Sequence, residues 1–255
     1  MGKRSETVSS LPSPDRDVPR CRRVAHGFLT AGASLSAAVA TLPQLKCDMV
    51  EIDVLDQGGE LVIAHDSDEL KLPNLVALDT ALAALSANLP AEVALNVDVK
   101  NVGCESKVLH ALARHGLADR TLISTMKYES LRTMRALSKE AKLGWSVPKA
   151  RMDYLGKPLV RPLGLAGLFL HRAVLPYRCA RAVRSGVADA IMAHWRVVTP
   201  RLVTTVADAG GELFAWTVDD RLRLGELQNL GVTGVITNDL TLFEDPPRQG
   251  VAPGV

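Results

Sequence analysis

Glu51 and Asp53, followed after a short turn by His65-Asp66, are the residues of this chain best equipped for chemistry. The run Asp48-Met-Val-Glu51-Ile-Asp53-Val alternates apolar and acidic side chains, the period of a β-strand. Met49, Glu51 and Asp53 therefore share one face, and Val50, Ile52 and Val54 the other. Two acids on an otherwise apolar strand are unfavourable to bury unless a cation neutralises them. Hard divalent ions such as Mg²⁺ or Ca²⁺ take oxygen ligands of this kind. Gly58-Gly59 turns the chain, and a second apolar run returns His65 towards the carboxylates. Another alternating run, Val93-Ala-Leu-Asn96-Val-Asp98-Val-Lys100, puts Asn96, Asp98 and Lys100 on one face. Glu51, Asp53 and Asp98 could thus hold one divalent cation, with water or substrate completing its shell. Lys100 beside that ion suits an anionic substrate such as a phosphodiester; its plainer role is a salt bridge to Asp98 or Glu51. Histidine moves protons most readily near neutral pH, so His26 and His65 on either side of a phosphorus centre could act as paired base and acid.

These residues need elements to position them. Strand-like runs are expected at 23–26, 48–54, 92–99, 120–125, 141–146, 189–193, 212–217 and 233–237. Helical patterns fall near 33–45, 77–88, 105–115, 128–139, 170–186, 200–209 and 220–230, with Gly116, Gly210-Gly211 and Gly231 where helix C-caps belong. This alternation predicts an α/β fold, a (β/α)₈ barrel; a doubly wound sheet is the alternative, but no G-x-G-x-x-G follows the first strand. Such a barrel carries its chemistry at the C-terminal strand ends. His26 ends the first expected strand, Glu51 and Asp53 close the second, and Asp98 with Lys100 closes the third. Ser124 ends the fourth, His194 follows the sixth, Trp216 ends the seventh and Asn238 follows the eighth. Lys100, Ser124, His194 and Trp216 are the substrate-facing candidates, Trp216 for the alcohol moiety. Trp145 and Trp195 do the same or fill the barrel.

Length and composition bound the rest. A chain of 255 residues, 47% of them apolar, suits one barrel domain at 23–243, with disordered tails at 1–22 and 244–255. A net charge of +2 gives no case for nucleic acid, and 4% aromatic residues argue against a platform for stacking bases. Four scattered cysteines form neither a disulfide framework nor a zinc site. The polar N-terminus shows no signal peptide, Glu6 spoils a myristoylation motif, and no run approaches the roughly 18 apolar residues of a spanning helix. The expectation is a cytoplasmic protein whose oligomeric state is not written in the sequence. The segment 147–188 is longer than a simple connection and carries an apolar run at 163–170. That run is read as a barrel helix, the alternative being a lid that makes transient contact with a lipid or membrane surface.

The order His26, Glu51-x-Asp53, His65-Asp66, Asp98-x-Lys100, Trp216-Thr-Val and Gly231-Val-Thr-Gly234-Val-Ile-Thr-Asn238 resembles the glycerophosphodiester phosphodiesterases over about 23–243. The segment Leu122-Ile-Ser124-Thr-Met-Lys-Tyr-Glu-Ser-Leu131 is similar to that family's fourth strand and following helix. The resemblance implies His26 and His65 as acid/base pair, Glu51, Asp53 and Asp98 as metal ligands, and Lys100 facing phosphate. It implies a reaction in which the neighbouring glycerol hydroxyl attacks phosphorus, giving a cyclic phosphate that water then opens. The chain departs from the family at three places. His26-Gly27-Phe28 replaces His-Arg-Gly, so the phosphate-binding arginine is missing; Ala31-Gly-Ala-Ser34-Leu replaces Pro-Glu-Asn-Thr; and Asp98 stands where a glutamate is usual. Asp-x-Lys and the lost arginine are also similar to the sphingomyelinase D-like phospholipases, whose secreted, disulfide-bearing character does not match this chain. Three readings follow. The first is a metal-dependent diesterase releasing sn-glycerol 3-phosphate and an alcohol from a small phosphodiester. The second is a phospholipase D-like enzyme giving cyclic phosphate from lysophospholipid or sphingomyelin-type substrates. The third is a barrel that binds a phosphate ligand without turnover.

Overall fold

Eight strands run parallel and close on themselves, so every catalytic candidate taken from a strand end faces one mouth. The computed structural model describes residues 20–147 and 161–244, and the side chains of all of these except 161–171. The barrel strands are β1 (Arg22–Leu29), β2 (Met49–Gln57), β4 (Ala94–Val99), β5 (Thr121–Thr125), β6 (Lys142–Ser146), β7 (Ala190–His194), β8 (Glu212–Trp216) and β9 (Gly234–Thr237). Each pairs with its chain neighbour, and β1 pairs with both β9 and β2 to close the ring. β3 (Glu60–Ile63) folds back antiparallel on β2 across the Gly58-Gly59 turn, as the sequence predicted, and sets His65 beyond its end. Helices α1 (Leu35–Thr41), α2 (Leu78–Asn88), α3 (Glu105–Arg114), α4 (Tyr128–Leu137), α5 (Arg161–Arg184), α6 (Pro200–Asp208) and α7 (Arg221–Leu230) are the connections among the described residues.

The pleat sorts side chains into two cores. Val50, Ile52 and Val54 of β2, with Leu95, Val97 and Val99 of β4, point outward into the large core shared with the helices. Met49, Val24, Leu122, Ala190, Met192, Phe214 and Ile236 point inward and fill the barrel. Below them Arg22 is paired with Glu212 and lies over the Phe214 ring, 5.3 Å from its centroid, sealing the N-terminal end. Space there is tight: a Cβ on Gly234 would stand 2.6 Å from the Phe214 ring, so any side chain here would force the ring to shift.

Local chemistry sets the mouth loops. Thr199 caps α6 by accepting from the Leu202 N–H with Pro200 in the first turn, and Asp220 caps α7 through the Arg223 N–H. Gly231, at φ 83°, ends α7 in the left-handed conformation.

Several boundaries move. The first strand begins at Arg22, inside the expected tail, and runs on to Leu29 because the chain bulges: Ala25 pairs with Val50, but Leu29 pairs with Ile52. The helix expected from 170 begins at Arg161, so the backbone of the 163–170 run lies in α5; its side chains fall outside the described residues. The expected tails lie almost wholly outside the described residues. No helix among the described residues is long and apolar enough to cross a membrane.

Candidate active site

The acidic half of the mouth comes from β2, β4, β5 and β6. Parallel register puts Glu51 beside Asn96, Asp53 beside Asp98, and Asp98 beside Ser124, all on the inward face. One oxygen from each of Glu51, Asp53 and Asp98 lies within 4.8 Å of the others. Glu51 and Asp53 are buried at 4% and 7% exposure. Ser124 Oγ donates to Asp98 Oδ1 at 2.7 Å, and Ser146 Oγ reaches the same oxygen at 3.4 Å. Lys100 pairs with Asp98 Oδ2 and stands 2.6 Å from Asp53 Oδ1. The second contact is an ion pair off the line of a hydrogen bond, so Asp53 Oδ1 has charge opposite it but no aligned donor.

The electrostatics match this crowding. Burial, then the neighbouring Asp53 and Asp98 carboxylates, push the Glu51 carboxyl well above the usual carboxylate range. The Gly27 N–H, donating to Glu51 Oε2 at 2.7 Å, works against that rise. Burial alone would lower the Lys100 ammonium, but Asp98 and Asp53 outweigh it and hold it above its ordinary value. The Gly27 contact explains part of the departure at this position. Gly27 adopts φ +55° in the β1 bulge, aiming its N–H at the carboxylate in a conformation that L side chains rarely adopt.

The residues fit a divalent cation. Three carboxylate oxygens converge, and two buried oxygens, Asp53 Oδ1 and Asn96 Oδ1, lack a hydrogen-bond donor. Hard oxygen sets of this kind take Mg²⁺ or Ca²⁺.

The histidine half comes from β8, β9 and β1. His26 Nδ1 lies 2.8 Å from Asn238 Oδ1. Asn238 in turn gives its side-chain NH₂ to Asp219 Oδ2 at 2.7 Å and its backbone N–H to Asp219 Oδ1 at 2.8 Å. Thr237 Oγ1 also donates to Asp219 Oδ1, at 3.0 Å. Partial burial works to raise the Asp219 carboxyl, but the Asn238 and Thr237 hydrogen bonds outweigh it and hold it below the usual range. His65 is exposed; its Nδ1 lies 3.7 Å from Asp66 Oδ2, and its backbone N–H donates to Glu69 at 2.6 Å.

His26, His65, Glu51, Asn96, Asp98, Lys100, Ser124, Ser146 and Trp216 line one cavity of about 280 Å³. His194 is buried behind the mouth, with its Nδ1 accepting from the Arg196 N–H at 3.2 Å and its ring edge-on to Trp216 at 5.3 Å. Trp195 stacks on His194, whereas Trp145 points outward and packs against Tyr128. Ser146 and Asp219 were not singled out from sequence, and Asn96 was placed on the face of Asp98 and Lys100 without a role. Ser146 and Asn96 sit in phase with chosen neighbours on inward-facing positions, and Asp219 directly follows the Trp216-Thr-Val segment.

Clustered acids, a lysine and two histidines thus gather at the C-terminal mouth of a closed parallel barrel. The sequence model described as "Glycerophosphoryl diester phosphodiesterase family" matches residues 85–242, more than half of the chain. This chain belongs to the glycerophosphoryl diester phosphodiesterase family. A curated glycerophosphodiester phosphodiesterase of Caldanaerobacter subterraneus subsp. tengcongensis is 23% identical over 247 residues, covering 84% of this chain and 91% of that one. Among solved structures, a glycerophosphodiester phosphodiesterase from Parabacteroides distasonis superposes with a TM-score of 0.63 at 18% identity, over 86% of this chain and 93% of that one. An Oleispira antarctica phosphodiesterase in complex with the product sn-glycerol-3-phosphate gives 0.60 at 20% identity, over 85% and 92%.

Proposed function

We propose that the protein is a metal-dependent enzyme that cleaves glycerophosphodiesters to sn-glycerol 3-phosphate and an alcohol. The observation that carries this reading is the convergence of Glu51, Asp53 and Asp98 within 4.8 Å in the cavity that His26 and His65 also line. The Oleispira relative in complex with sn-glycerol-3-phosphate supports the choice of product. Glu51, Asp53 and Asp98 would hold a Mg²⁺ or Ca²⁺ ion, which would supply Lewis-acid stabilisation of charge on the phosphoryl oxygens.

The protein's own groups do the rest. Lys100 carries three donors: one is taken by Asp98, the Asp53 contact is an ion pair with no aligned donor, and a remaining N–H serves a phosphate oxygen. Ser124 and Ser146 tie down Asp98 so that its second oxygen stays aimed inward. His26 and His65 exchange protons with the attacking hydroxyl and the leaving alcohol, and Trp216 walls the alcohol side. Gly27 in place of the family arginine, together with Met126 on the cavity wall at 47% exposure, favours a second reading. In it the more apolar wall accepts a lysophospholipid or sphingomyelin-type substrate and the product is a cyclic phosphate.

Glycerophosphocholine, lysophosphatidylcholine and sphingomyelin, each incubated with Mg²⁺, Ca²⁺ or Mn²⁺ and followed by phosphorus NMR, separate the readings. Glycerol 3-phosphate from glycerophosphocholine is expected. A cyclic lipid phosphate would favour the second reading, and no turnover with any ion would overturn both.

A further inference from the structure

We propose that Asp219 is a positioning residue for the proton-transfer histidine: acting through Asn238, it keeps the imidazole proton of His26 on Nδ1 and leaves Nε2 to exchange a proton in the cavity. The inference rests on the acid/base reading of His26 above and adds a residue to it. Asp219 lies in the loop after β8, Asn238 directly follows β9 and His26 lies within β1, three adjacent strands of the ring. An ionised carboxylate only accepts hydrogen bonds. The Asn238 amide must therefore turn its NH₂ towards Asp219, as the 2.7 Å contact shows, and its carbonyl oxygen towards His26. An amide oxygen also only accepts, so the 2.8 Å contact requires a proton on Nδ1. Both Asp219 oxygens are engaged, Oδ1 by the Asn238 N–H and the Thr237 hydroxyl, Oδ2 by the Asn238 amide. The amide consequently has one favourable orientation and the ring one favourable tautomer. Since His26 lines the cavity with Nδ1 already engaged, Nε2 is the nitrogen left for substrate.

Replacing Asp219 by asparagine leaves the shape but removes one acceptor. Oδ1 of the new side chain would keep the Asn238 N–H and the Thr237 hydroxyl, and its NH₂ would face the Asn238 amide. Asn238 would then turn over, present its NH₂ to His26, and move the ring proton to Nε2. The double variant Asp219→Asn/Asn238→Asp again places an acceptor oxygen against Nδ1, now from a carboxylate.

The test uses the full chain labelled with ¹⁵N in its histidines, with long-range ¹H–¹⁵N correlation and His26 assigned from the spectrum of His26→Gln. The unaltered protein is expected to show neutral His26 protonated on Nδ1. Asp219→Asn should show it protonated on Nε2, with kcat on glycerophosphocholine down by about 100-fold or more and KM within about threefold. The double variant should return the proton to Nδ1 and recover at least about tenfold in kcat. A proton on Nε2 in the unaltered protein, or on Nδ1 in Asp219→Asn, would overturn the proposal. The first of these measurements is read on the unaltered protein and needs only the His26→Gln spectrum for assignment, so an Asp219 variant that fails to fold does not shelter the idea. The tautomer is read without substrate: an Nδ1–H ring in a protein that cleaves no glycerophosphodiester supports the Asp219 role and overturns the proposed activity.

Discussion

The lower and upper storeys of the barrel interior are built from the same strands, two residues apart. Val24 becomes His26, Met49 becomes Glu51, Leu122 becomes Ser124, and Phe214 becomes Trp216. The lower storey is closed with apolar side chains and capped by the Arg22–Glu212 pair. The upper storey buries acids that repel one another and oxygens without donors. Stability and chemistry are thus separated along the strand axis. A layer that packs to native density supports a layer whose own interactions oppose folding until a cation or substrate arrives.

The sharpest test of this division is Glu51→Gln. It should cut metal-dependent turnover at least about 1,000-fold, the several kcal/mol of charge stabilisation a bound cation supplies. Yet it should leave the metal-free protein as stable as before or more so, because a buried charge beside Asp53 is removed while the Gly27 N–H keeps an acceptor. A turnover assay with Mg²⁺ checks the first half and calorimetry of the metal-free protein the second; a Glu51→Gln protein that melts earlier without metal would break the comparison. Phe214→Ala should do the reverse. It removes a fully buried ring from the lower storey and should destabilise by about 3–5 kcal/mol in denaturant unfolding, with kcat per folded molecule nearly unchanged. Gly234→Ala should have the smallest effect of the three. Its Cβ would overlap the Phe214 ring, so a loss of about 1–3 kcal/mol is expected, relieved when Phe214 is shortened to leucine in the same chain.

Much of the upper storey was legible in sequence because strand periodicity is local. Glu51 and Asp53, or Asp98 and Lys100, two residues apart on a strand, must share a face wherever the strand goes. The hairpin returning His65 was legible for the same reason, in the Gly58-Gly59 turn between two apolar runs. Other features were hidden. The αL bulge that gives Gly27 a contact to Glu51 depends on a register slip between β1 and β2. That slip exists only once the two strands pair. Lys100 was expected to meet Asp98 or Glu51; its contact to Asp53 depends on the height at which β4 lies against β2.

The alternation of short apolar runs with helical patterns was enough to specify strands, helices and the acidic faces, since each property is set by residues within a turn or two of one another. The pairing of His26 with Asn238 spans 212 positions, and it exists only because the ring closes β9 onto β1. Asp219 enters the same network because β8 lies next in that ring. Strand order and register are properties of the closed barrel, fixed by tight interior packing that no local pattern contains.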